Sequence, residues 1–196
     1  EKIKGSEGYT TNLIFDGKQY SLSVVSVLIP SWDTEAIYVD SHHGLFKLQA
    51  TKRAKKSWEF MGLLEGFTLG TAIPGQLAEG ENGDIWQGQT GKLVRIQDLD
   101  RWPQASFTVF DRHHDIGQGE VRPVYIDGEL IFMTTQGFKQ FRDNTFHVDP
   151  RFNGRLNQEP VFRFADSPEH GAWVRFEEGT DARLRKNTRD QYTIEG

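Results

Sequence analysis

Cysteine is absent from the 196 residues, which removes disulfides, thiolate metal ligands and thiol nucleophiles together. Its absence leaves the compartment open. Long apolar runs are missing too. The longest candidate, Leu22 to Ile29, is strand-sized and interrupted by Ser23 and Ser26, far short of the ~18–20 residues needed to span a bilayer. A basic excess is lacking: 23 Lys and Arg stand against 28 Asp and Glu, a net charge of −5. Proteins that track a nucleic-acid backbone carry the opposite balance, so nucleic acid is disfavoured as a partner. There is no Gly-Lys-Ser or Gly-Lys-Thr phosphate loop, no Gly-x-Ser-x-Gly elbow, no His-Glu-x-x-His and no calcium-loop pattern. The chain opens at Glu1 rather than Met, which reads as a processing site or an excision boundary, with export the favoured reading.

What is present is aromatic and turn-rich. Fourteen Phe, five Tyr and five Trp supply rings that each bury roughly 150–250 Å², enough to build a core without disulfides. No composition break divides the chain, so one β-rich domain over residues 1–196 is expected. Asp16-Gly17 separates Leu13-Ile14-Phe15 from the run beginning at Gln19, and Asp127-Gly128 separates Val124-Tyr125-Ile126 from Glu129–Phe132. Asp-Gly suits a two-residue hairpin turn, where positive φ matches the twist of the strands. Looser hairpins are expected around Ser41–Gly44 and Glu81–Asp84, with further strands at Lys92–Gln97, Ser106–Phe110, Val161–Ala165 and Ala172–Phe176.

The pattern predicts a mainly β, antiparallel sandwich or barrel of jelly-roll or calycin-like type. One amphipathic helix is expected over residues 51–64, with Ala54, Trp58 and Met61 on one face and lysines on the other. A short second helix is expected around Phe138 and Phe141. Tyr38-Val39-Asp40 and Tyr125-Ile126-Asp127 echo each other, but irregular spacing favours convergent hairpin chemistry over an internal repeat. The Gly-x-Trp of lipocalins is absent near the first strand.

Two histidine pairs carry the candidate chemistry: Asp40-Ser41-His42-His43 and Asp111-Arg112-His113-His114-Asp115. Histidine is the commonest metal ligand and titrates near neutral pH. His42, His43 and Asp115 are therefore candidate ligands for a divalent metal, the one cofactor these residues imply. His113 and His114 with Asp111 and Tyr125 are candidate acid–base groups for a lyase or hydrolase, and Arg112 is placed to hold an anionic group. Neighbouring residues on a strand point to opposite faces, so only one His of each pair can enter a common pocket. The second segment superficially resembles the His-centred motif of ββα-metal nucleases. That motif needs a later ligand, and Phe138 and Phe141 stand where a closing His is wanted.

The other reading is a binding module for a glycan or an apolar small molecule. Trp86, lying between glycine-rich turns, and Trp32 and Trp102, each close to a proline, are its candidate stacking platforms. A structural assembly subunit is the third possibility, and would show exposed strand edges or apolar patches.

Overall fold

The computed structural model describes residues 10–15, 18–51, 57–67, 76–167, 171–176 and 178–195. They form seventeen strands and almost no helix. The first sheet contains β1 (Thr10–Phe15), β2 (Lys18–Leu28), β3 (Ala36–Ser41), β4 (Gly44–Ala50) and β5 (Trp58–Leu63). The second contains β6 (Leu77–Glu79), β7 (Ile85–Gln89), β8 (Lys92–Gln97) and β9 (Ser106–Phe110). The third is built of β10 (Arg122–Ile126), β11 (Glu129–Thr134), β12 (Gly137–Arg142) and β13 (Thr145–Val148). The fourth holds β14 (Val161–Ser167), β15 (Gly171–Phe176), β16 (Asp181–Lys186) and β17 (Tyr192–Ile194). Each sheet is an open meander in which strand order follows chain order. The mainly β, antiparallel expectation is met, and among the described residues no sheet closes on itself.

The chain forms two compact units. One comprises residues 1–87 and 95–108, the other residues 88–94 and 109–196. Because β7, β8 and β9 each run from one unit into the other, no single backbone cut separates them.

The strand expectations at Lys92–Gln97 and Ser106–Phe110 agree with β8 and β9 to the residue. Those at Val161–Ala165 and Ala172–Phe176 fall inside β14 and β15. The Asp127-Gly128 turn has φ of 55° and 80°, the paired positive values that a tight hairpin requires. Strands β1 and β2 pair up to Phe15 and Lys18. The Asp16-Gly17 turn between them lies outside the described residues.

Both helical expectations need correction. Residues 58–63 are β5, with Trp58, Glu59 and Phe60 opposite Ala50, Gln49 and Leu48 of β4. Gly62 has φ of 99°, which a helix cannot contain. The i, i+3 spacing of Trp58 and Met61 imitates a helical face, but cross-strand pairing with β4 decides the outcome. Residues 52–56 of that predicted helix lie outside the described residues. Phe138 and Phe141 sit in β12, where Phe138 opposes Met133 and Phe141 opposes Phe146.

Two hairpins repeat one device. Ser41 Oγ donates to the Gly44 carbonyl at 2.8 Å and accepts from the His43 N–H at 3.3 Å. Thr134 Oγ1 donates to the Gly137 carbonyl at 2.9 Å and accepts from the Gln136 N–H at 3.0 Å. In both, the closing glycine has positive φ, 129° and 91°. A hydroxyl that ends one strand thus ties a two-residue tip to the start of the next. The β3–β4 and β11–β12 hairpins are therefore alike in geometry as well as in residue type.

In the second unit, the third and fourth sheets share a core. Ile131, Met133 and Phe138 pack with Ala172, Val174, Phe176, Ala182 and Leu184. The rings of Phe138, Phe152 and Tyr192 stack in a column, with centroids 3.9 and 4.9 Å apart. Around this core runs an ionic chain. Asp149, fully buried, takes hydrogen bonds from Arg151 and Gln140. Arg151 reaches Glu129 at 3.0 Å, and Asp127 accepts from Tyr192 and Lys186. Buried carboxylates persist only with such partners.

Candidate functional site

The two histidine pairs occupy different units, and each has a local role. His42 and His43 form the exposed tip of the β3–β4 hairpin. His113 and His114 close a 3-10 turn over Arg112–His114. There the Asp111 carboxylate accepts from the His113 N–H at 3.0 Å, and the Asp111 N–H donates to His114 Nδ1 at 3.1 Å. The His113 N–H also holds the Asp111 carboxyl below its ordinary range. The His114 and Phe110 rings meet in a T-shaped arrangement, centroids 5.4 Å apart. Arg112 Nε donates to His113 Nε2 at 3.4 Å, and Tyr125 is 46 % exposed on β10. The Asp115 carbonyl, rather than its carboxylate, receives the buried Lys139 ammonium. Burial lowers the pKa of that lysine, while Asp115 opposes the change. Among the described residues no group of three or more His, Asp or Glu is gathered to hold a metal.

The tryptophans divide by exposure. Trp86 is buried in β7 with the Arg95 guanidinium 5.4 Å from its ring centroid, and Arg95 is paired with Asp84. Trp102 is buried as well: its Nε1–H donates to the Gly62 carbonyl at 2.9 Å and its ring meets Tyr38 edge-on. Neither ring offers a face to solvent, so neither is a surface platform. Trp32, in the turn after Pro30, is 42 % exposed.

One buried acid stands out in the first unit. Asp40 on β3 is 1 % exposed. Neither carboxylate oxygen has a hydrogen bond of ordinary geometry among the described residues. Burial raises its pKa from 3.8 to about 6, although the nearby Gln87 side chain and His42 pull it down.

The most distinctive exposed surface is the outer face of the fourth sheet. Alternation along β15 sends Ala172, Val174 and Phe176 into the core and leaves Trp173 and Arg175 outside. The same period in β16 buries Ala182 and Leu184 and exposes Asp181, Arg183 and Arg185. Pairing then fixes the layout. Trp173 lies between Ala165 of β14 and Arg183 of β16, and Arg175 between Arg163 and Asp181. Trp173 is 41 % exposed. Arg175 makes a two-pronged bond to Asp181 at 2.6 and 2.7 Å. That bond holds the guanidinium charged and the carboxyl ionised. Arg183 approaches Glu195 at 3.4 Å. This aromatic face was not among the sequence candidates. Its sequence signal is weak, because Trp173 is itself apolar and only Arg175 interrupts the apolar run Ala172–Phe176.

This arrangement can stack a ring against Trp173 and offer fixed donors and acceptors at its rim; it contains no nucleophile–base pair. Among the described residues no helix is long and apolar enough to cross a membrane. No protein-family model matches the chain, and no curated protein matches it.

Proposed function

We propose that the protein is a non-catalytic ligand-binding module that takes a glycan on the outer face of its fourth sheet. The observation that carries this reading is Trp173. A large ring stands 41 % exposed in the middle of a strand, on a face that also holds the Arg175–Asp181 and Arg183–Glu195 pairs. Sugar rings need an apolar plate and a rim of bidentate donors and acceptors. Tryptophan, guanidinium and carboxylate supply both. The site sits on paired strands rather than on a loop, so its side chains are held in place before a ligand arrives. The residue paired with Trp173 on β14 is the small Ala165, which adds no bulk beside the ring.

Affinity electrophoresis through gels containing neutral and acidic polysaccharides tests the reading. Retardation by at least one polymer, lost in Trp173→Ala, is the expected result. Unretarded migration through the whole panel overturns it.

A further inference from the structure

The structure assigns this face to an acidic glycan, one whose sugar rings carry carboxylates; the inference rests on the glycan-binding reading above. Four arginines share the face: Arg163, Arg175, Arg183 and Arg185. Two carboxylates, Asp181 and Glu195, lie among them. Four positive charges against two negative leave a surplus of two on a chain whose net charge is −5. The face is thus locally cationic on an acidic chain.

Its distribution is unfavourable for the sheet alone. Arg163 and Arg175 stand directly opposite across the β14–β15 ladder, where like charges destabilise the pair. Asp181 satisfies Arg175. Among the described residues neither Arg163 nor Arg185 is ion-paired. These two guanidinium groups lie on opposite sides of Trp173 along the sheet: Arg163 beyond Arg175, and Arg185 two residues from Arg183. Neighbouring strands are about 4.8 Å apart and alternate residues about 6.8 Å, so both cations lie within one or two sugar rings of a ligand stacked on Trp173. Guanidinium binds carboxylate in a two-pronged, planar fashion. A neutral sugar would leave both unused.

Single-stranded nucleic acid is the other polyanion that pairs aromatic rings with arginine. It favours successive stacking platforms along a basic groove. This face presents one exposed tryptophan, and it intersperses Asp181 and Glu195, which repel a run of phosphates while accepting sugar hydroxyls.

The experiment measures binding by the intact chain to polygalacturonate, alginate and hyaluronan. Each is compared with a form whose carboxylates are esterified or amidated, and with neutral polysaccharides and oligo-dT. At least one polyuronate should bind at least tenfold more tightly than its neutralised form. The Arg163→Ala/Arg185→Ala double variant should lose that preference, and Trp173→Ala should lose binding altogether, each with an unchanged circular dichroism spectrum. Equal binding of a polymer and its neutralised form overturns the acidic class and leaves the glycan reading standing. Binding of neutral polysaccharides alone, dependent on Trp173, does the same. Absence of binding to every polysaccharide overturns both. Binding of oligo-dT that depends on these residues, without polyuronate binding, overturns the assignment in favour of nucleic acid.

Discussion

Replacing Asp40 by asparagine isolates the cost of a buried negative charge. The folded chain holds this carboxyl at a pKa of about 6, against 3.8 ordinarily, chiefly because it is buried. A proton is therefore bound more tightly in the folded than in the unfolded state. Stability from this group is fully present below pH 3.8 and is lost as the pH rises through 6. The span between the two values corresponds to about 3 kcal/mol. The amide introduced by Asp40→Asn does not titrate. The free energy of the variant relative to wild type should therefore shift in the variant's favour by about 2.4 kcal/mol between pH 4 and pH 7.5. Most of the change should fall between about pH 4 and 6.5. Urea unfolding across this range, followed by tryptophan fluorescence and circular dichroism, measures the difference. Other carboxylates titrate equally in both proteins and cancel. A constant offset would report only how well the amide fits among Gln87 and Ser41. A difference that stays flat with pH, or moves the other way, refutes the reasoning.

Further expectations follow from the geometry. Thr134→Val should cost about 1–2 kcal/mol in urea unfolding, because it deletes both hydrogen bonds that tie the β11–β12 tip while keeping the side-chain shape. Removing Arg95 alone, as Arg95→Met, should cost about 3–5 kcal/mol by stranding the buried Asp84 carboxylate. The Arg95→Met/Asp84→Ala double variant should in total cost much less than the sum of the two single changes in a double-mutant cycle. Asp111→Ala should lower the melting temperature by releasing the turn over Arg112–His114, and EDTA should leave the wild-type melting temperature unchanged.

Much of the strand framework was legible in the sequence because it rests on local rules. The alternation in Ser106–Phe110 and the Asp127-Gly128 turn act within a few residues. What was misread depended on distant partners. Trp58 and Met61 sit three apart beside a run of lysines, which is a fair helical signature. Only β4, whose residues 48–50 pair with 58–60, makes that segment a strand. Trp86 lies close to glycine-rich turns and so looked exposed, yet all five residues of β7 are buried. The histidine pairs drew attention for their chemistry. Their positions at a hairpin tip and in a capped turn depend instead on Ser41 and Asp111, which hydrogen-bond the backbone there. The outer face of the fourth sheet was half legible: β15 was expected as a strand, but four of the five residues Ala172–Phe176 are apolar, so the pattern alone did not set Trp173 apart from the core. Ranking that tryptophan above Trp86 required knowing which rings are covered.

The order of strands within the sheets has a kinetic consequence. Each of the four sheets is a meander, so every ladder within it joins strands that follow one another along the chain. No ladder has to wait for a distant segment to arrive, and the loop entropy that must be spent before pairing begins is small at every step. β proteins fold slowly when their pairings are remote in sequence. Here a hairpin such as β11–β12 can form and then recruit its neighbours one strand at a time. Folding should therefore advance sheet by sheet, with rates set by the docking of finished sheets rather than by the search for strand partners.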